Sequence, residues 1–282
     1  MQRIEITTKD GARVAARVFP CDQPQATVLL PTAMGAKQEF YAPFAQWLSA
    51  QGYLVVSFDY RGVGDSRTGS LRGFKADLFD WSRDFESMVD WLKGQLPAAP
   101  LYVVGHSLGA QLPGMLANRD QIAGLISVAA GSGYWRDNAP PTRRMILYFW
   151  HVLVPLATQL FGYFPGKRLR KVGDLPAGVI LQWRRWCLNP LYSFGAEGDA
   201  VRNAYGSVRF PVLALSITDD EMMTLRGTRT LVEFYANAPR RIEQITPADA
   251  NVAQIGHFGF FRQQFESTLW PRIPAALQAF AH

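Results

Sequence analysis

The chain has 282 residues, 48% of them hydrophobic and 18% charged, with a formal net charge of +6. That composition excludes a disordered or fibrous chain and can fill one large α/β domain with an insertion, or two small domains. The basicity is local: Gly131 to Phe210 holds 11 Lys or Arg against 4 Asp or Glu, and the remainder has one acidic residue in excess. Such a segment either attracts an anionic ligand or membrane surface or forms a solvated face. No nucleic-acid module signature is visible, so nucleic acid is not an expected partner. Cys21 and Cys187 fit no metal or redox spacing, which makes a reduced, cytoplasmic setting the expectation. Met1 to Ile6 alternate like a strand, and no apolar signal-peptide core is read there.

Strands are predicted at Arg13 to Phe19 and Ala26 to Leu30, a helix over Phe40 to Gln51, and a strand at Tyr53 to Phe58. Leu78, Trp81, Phe85, Met88, Val89 and Leu92 recur at helical spacing, so this helix turns one apolar face to the core. Further strands are expected at Leu101 to Val104, Gly124 to Ala130, Val212 to Ile217 and Ile242 to Ile245. Helices are expected over Ala110 to Ala117, Thr228 to Tyr235, and from Gln263 onward. Strands alternating with helices imply a mostly parallel sheet covered on both faces.

Residues 131–210 break this rhythm with aromatics and prolines. They read as a cap inserted into a core made of residues 1–130 and 211–282. Within the cap, Met145 to Phe164 is nearly all apolar, with basic residues on both sides. Its length suits a membrane span. His151, Pro155 and Gln159 interrupt it, and a single crossing would separate strands of one sheet. A buried pair of cap helices broken near Pro155 is the expectation; an apolar lid touching lipid is the alternative.

Gly105-His106-Ser107-Leu108-Gly109 fits G-x-S-x-G and sits between a predicted strand and a predicted helix. In a loop the pattern would be a chance match. In this context it describes a nucleophile elbow, with Ser107 on a strained turn and a helix N-terminus beside it. A serine nucleophile needs a base and an orienting acid. Four histidines are available. His106 adjoins the serine and should point away, His151 lies in the apolar cap segment, and His282 is terminal. His257 remains, in the glycine-flanked loop Gly256-His257-Phe258-Gly259. The acid is expected in Asp219-Asp220-Glu221, after the strand ending at Ile217; Asp220 is preferred, Asp219 second, and Glu221 reads as a solvated helix-start residue.

Together with Asp59-Tyr60-Arg61-Gly62-Val63-Gly64-Asp65-Ser66, these stretches resemble the α/β-hydrolase superfamily, nearest its serine-aminopeptidase-like and lysophospholipase-like members. The resemblance implies a mostly parallel central sheet with helices on both faces and an inserted helical cap. Its Asp-x-x-x-Pro acid motif matches Asp220 to Thr224, with Thr in place of Pro, which supports Asp220. The usual His-Gly after the third strand is replaced by Thr32-Ala33-Met34-Gly35. By alignment the oxyanion donors are the N–H groups of Ala33 and Leu108, or of Met34 if the register shifts by one. The resemblance implies a serine hydrolase that needs no cofactor or metal and acts on a small acyl substrate. A carboxylic ester or thioester with an apolar acyl group, and an anionic part, fits the cap. The alternatives are an acyltransferase or serine aminopeptidase on the same triad, and a non-catalytic binding protein of the same fold. A haloalkane or epoxide hydrolase fits less well, because those enzymes carry a carboxylate where Ser107 stands.

Overall fold

Alternation within the strands decides the layering. In the strand Leu101–His106, Leu101 and Val103 join one apolar cluster while Tyr102 and Val104 join another on the opposite face. Both faces are therefore covered, as the hydrophobic run requires. The computed structural model describes residues 1–281, so His282 lies outside it. Eight strands form the main sheet: β1 (Gln2–Thr7), β2 (Arg13–Phe19), β3 (Ala26–Pro31), β4 (Tyr53–Phe58), β5 (Leu101–His106), β6 (Gly124–Val128) and, after a long excursion, β9 (Val212–Ile217) and β10 (Arg240–Ile245). Their spatial order is β1-β2-β4-β3-β5-β6-β9-β10. The first two pairings are antiparallel and all the others parallel.

The order places β4 on one side of β3 and β5 on the other. The direction in which successive strands are added reverses there, and the crevice beyond the carboxyl ends of β3 and β5 is where such sheets hold ligands. Helices α1 (Ala42–Ala50) and α10 (Arg272–Phe280) cover one face, and α2 (Leu78–Gln95) covers the other. Asp77 and Asp80 start α2 with a reciprocal capping box, at 2.9 and 2.8 Å. Its apolar stripe, Trp81 and Phe85 included, is fully buried. The expected last helix begins at Arg272; around Gln263 there is only a 3-10 turn, Gln263–Phe265.

Between β6 and β9 the chain leaves the sheet. It forms α4 (Pro140–Tyr148), a π turn (Phe149–Leu153), α5 (Val154–Phe161), the antiparallel ribbon of β7 (Tyr163–Phe164) and β8 (Leu175–Pro176), then α6 (Ala177–Leu188), α7 (Tyr192–Glu197) and α8 (Asp199–Gly206). The expected pair of buried helices broken at Pro155 does not form. One helix runs from Thr142 to Phe161, and only 22% of its most apolar window is buried. Pro155 ends no helix because the π turn just before it shifts the hydrogen-bond register, so the donor that proline lacks is not called for. Trp150, Val154, Ala157 and Thr158 face inward. Met145, Tyr148, Val152, Leu156 and Leu160 recur every three or four residues on the outer side, and all are exposed. The helix is long and apolar enough to cross a membrane. A single crossing is excluded by the sheet, because β6 and β9, before and after it, are hydrogen-bonded neighbours.

The two faces of this helix should respond differently to truncation. Trp150→Ala is expected to lower the unfolding free energy by about 3–5 kcal/mol, and Leu160→Ala to change it by less than about 0.5 kcal/mol, in urea titrations followed by circular dichroism.

Candidate active site

Strand β5 ends at the crevice, and the next residue is Ser107. Its φ of +51° and ψ of −116° are a conformation that a non-glycine residue adopts only when its surroundings force it. The surroundings are visible. Ser107 N–H donates to the Val128 carbonyl at 3.0 Å, and the chain turns at once into helix α3 (Leu108–Gln111). A β-carbon at Gly105 would stand 2.6 Å from Ala110 N, and one at Gly109 would collide with the Pro31 carbonyl. The pattern's glycines thus permit the elbow by letting strand, helix and β3 meet. The helix expected over 110–117 stops at Gln111, and Pro113–Met115 continues as a 3-10 turn, because a proline cannot extend the i to i−4 ladder.

His257 and the acidic run converge from two loops. His257 Nδ1 lies 2.7 Å from Asp220 Oδ2, with both side chains almost fully buried. The other Asp220 oxygen accepts from the N–H groups of Met222 and Met223 at 2.7 and 2.8 Å. Asp219 does not reach the ring. It accepts from Ile255 N–H at 2.9 Å and from Gly256 N–H at 3.3 Å. Glu221, expected to be merely solvated, accepts from His257 N–H at 2.9 Å. All three carboxylates therefore hold the histidine loop, one by the ring and two by its backbone. Thr224, in the place of the motif's proline, caps helix α9 (Leu225–Glu233) through Gly227 N–H and donates to the Asp137 carbonyl.

The loop after β3 distinguishes the two candidate donors by their partners. Ala33 N–H, the first choice for an oxyanion donor, donates to Tyr41 Oη at 3.0 Å inside the fold. Met34 is the next residue, it lines the cavity beside Ser107, and its N–H has no protein acceptor among the described residues. Both residues line the cavity, and of the two it is the Met34 N–H that is left without a protein partner among the described residues. Sequence reasoning also missed His106, whose imidazole is fully buried. Its Nε2 is 3.0 Å from the His257 carbonyl and its Nδ1 is 2.7 Å from Tyr41 Oη. A carbonyl only accepts, so Nε2 carries the proton and Nδ1 accepts from Tyr41. One chain of bonds thus runs from Ala33 N–H through Tyr41 and His106 to the backbone of His257. Burial, reinforced by the neighbouring His257, holds the His106 imidazole well below its ordinary value, so it stays neutral. The only sequence signal was a histidine in the second position of the elbow motif.

Ser107 and His257 open onto the same cavity, of about 470 Å³. Met34, Val172, Trp183, Met222, Met223 and Phe258 give it apolar walls, and Arg170 and Lys171 stand among its lining residues with no carboxylate. The cap is fastened to the elbow here: Tyr192 Oη donates to Gln111 at 2.8 Å, and Trp183 Nε1 donates to Tyr192 Oη at 3.2 Å.

This sheet order, elbow and capped crevice define an α/β-hydrolase fold. A family model described as serine aminopeptidase, S33 matches residues 22–248, and the chain belongs to that family. A monoglyceride lipase of Saccharomyces cerevisiae, solved with a substrate analogue, superposes with a TM-score of 0.73 at 18% identity, covering 99% of this chain and 94% of its own. An esterase of Pyrococcus furiosus superposes with a TM-score of 0.61 at 17% identity, over 99% and 89%. In sequence, a lysophosphatidylserine lipase of Danio rerio is 43% identical over 74 residues, which is 26% of this chain but only 17% of that protein. A monoacylglycerol lipase of Mycolicibacterium smegmatis is 33% identical over 100 residues, 35% of each chain.

Tyr41→Phe strands a buried N–H and a buried imidazole nitrogen, and is expected to cost about 1–3 kcal/mol of stability by chemical denaturation. His106 also sets a pH dependence. Its folded value lies below the unfolded 6.5, so its stabilising contribution is complete above pH 6.5 and is lost as pH falls from there toward the folded value. Melting temperature should decline over that range, and His106→Gln should flatten the decline.

Proposed function

We propose that the protein is a serine hydrolase that cleaves carboxylic esters or thioesters of apolar acyl groups through an acyl-enzyme. Ser107 Oγ attacks the acyl carbonyl, and His257 takes its proton and returns it to the leaving group. Asp220 fixes the imidazole tautomer with Nδ1–H toward the carboxylate. The N–H groups of Met34 and Leu108 bind the oxyanion, and water then releases the acid. The observation that carries this reading is the buried 2.7 Å contact between Asp220 and His257, a residue that lines the same cavity as the strained Ser107. The apolar walls favour a fatty or aromatic acyl chain, and the names of the relatives, lipases and an esterase, support the same class. An aminopeptidase finds less support: the cavity lining offers two cations and no carboxylate to pair with a substrate ammonium. An acyltransferase would use the same first half-reaction and is separated by product analysis with alcohol or amine acceptors. Two unpaired cysteines suit the reducing, cytoplasmic setting proposed from the sequence.

The exposed apolar stripe supports a second element, contact of the cap with a lipid surface. No Asp or Glu occurs between Asp137 and Asp174, whereas Arg143, Arg144, Lys167, Arg168, Arg170 and Lys171 flank the stripe. Apolar area plus clustered cations is the combination that binds anionic bilayers.

Hydrolysis of p-nitrophenyl esters should rise with acyl length up to the capacity of the cavity. Ser107→Ala should lower kcat by on the order of 10⁴–10⁶ and abolish fluorophosphonate labelling, and Asp220→Asn should lower kcat by on the order of 10⁴. Equal rates for wild type and Ser107→Ala would end the reading. The protein should co-sediment with phosphatidylglycerol vesicles more than with phosphatidylcholine vesicles, and Leu156→Asp/Leu160→Asp should release it.

A further inference from the structure

Beside the catalytic cavity lies a second groove of about 440 Å³ that the reaction above does not use. Lys37, Arg67, Lys167 and Lys171 line it. Its lone carboxylate among the lining residues, Asp174, is already engaged: it pairs with Arg67 at 3.1 Å and accepts from Lys167 N–H at 3.0 Å. Lys37, Lys167 and Lys171 have no carboxylate within ion-pair distance among the described residues, and all three are exposed. Four cations against one carboxylate leave a charge of +3. The cations come from three separate places: the loop after β3, the loop after β4, and the cap segment between β7 and β8. That convergence depends on a close backbone approach. A β-carbon at Gly35, whose φ is +68°, would stand 2.6 Å from Gly173 N.

The two hollows share a wall. Gly35, Lys171, Val172 and Gly173 line both, and Arg170 lines the catalytic side. A ligand held at Ser107 thus needs to pass only this ridge to reach the cations. We propose that the groove is a subsite for a phosphate carried on the leaving alcohol of the substrate, so that the enzyme acts on acyl esters of phosphorylated alcohols. The assignment rests on the ester-hydrolase reading. A phosphate is favoured over a carboxylate by the number of charges: a dianion with three acceptor oxygens can satisfy several ammonium groups at once, whereas a carboxylate leaves most of them unmatched. The acyl chain occupies the apolar cavity, and the reacting carbonyl stays at Ser107.

The test compares a 1-acylglycerol 3-phosphate with a monoacylglycerol of the same chain length, both below their critical micelle concentrations. In Lys37→Gln/Lys167→Gln, the ratio of kcat/KM for the phosphorylated ester to that for the neutral ester should fall about tenfold, through KM rather than kcat. The same ratio in wild type should fall with added salt. Lys37→Arg/Lys167→Arg should retain most of it. An unchanged ratio in the Gln variant overturns the subsite, whatever the absolute rates. Calorimetric titration with glycerol 3-phosphate and with inorganic phosphate, on wild type and on the Gln variant, is independent of catalysis. If no ester is hydrolysed but glycerol 3-phosphate binds wild type and not the variant, the hydrolase reading fails and the anion site stands. If neither binds, the site fails too. Inorganic phosphate that binds without competing against the phosphorylated ester would assign the groove to free phosphate and overturn the headgroup role.

Discussion

Two loops far from each other in the chain must bring an imidazole and a carboxylate to 2.7 Å in a buried setting, and much of this architecture serves that contact. It demands that β9 deliver Asp220 to the crevice and that the loop after β10 fold back over it. A buried ion pair or charged hydrogen bond is costly unless every remaining lone pair is satisfied. Here Asp220 accepts from two backbone N–H groups as well as the ring, so no acceptor is left bare. Its neighbours complete the arrangement by gripping the backbone of residues 255–257.

The same logic extends to the opposite wall. The loop after β3 is tied to the histidine loop by Tyr41 and the neutral His106, so two of the segments that line the cavity are set in one frame. Polar networks of this kind rigidify a site only when fully satisfied. In this one the tautomer of His106 follows from its partners, because a carbonyl on one side leaves a single assignment for the other.

The cap adds what the core lacks. Its inner surface closes the cavity with Trp183 and Val172, its ribbon segment contributes Arg170 and Lys171, and its outer helix presents an apolar stripe between basic flanks. These three surfaces are different chemical environments within one insertion. Under the proposed function, lipid, acyl chain and anionic group would each meet a matching one, while Ser107 stays at the end of a central strand.

Strand periodicity, the elbow glycines and the small number of histidines were all local or countable, so the sheet and the nomination of Ser107, His257 and Asp220 could be read from the sequence. Two glycines two positions from a serine, between a strand and a helix, already describe a turn that only small residues allow. The register of the oxyanion loop was not local. Whether the Ala33 N–H is free depends on Tyr41 reaching back to it, a contact set by how the 3-10 turn of residues 38–41 packs under the loop. Glu221 and His106 were misjudged or passed over for the same reason: their partners lie 36 and 151 residues away. The apolar helix shows the limit most plainly. Composition gave its length and hydrophobicity, but which face is buried, and that Pro155 is absorbed by a π turn, depend on the cap core it packs against. Sequence determines what each segment can do locally; burial and partner geometry, which are properties of the assembled chain, decide which of those options is used.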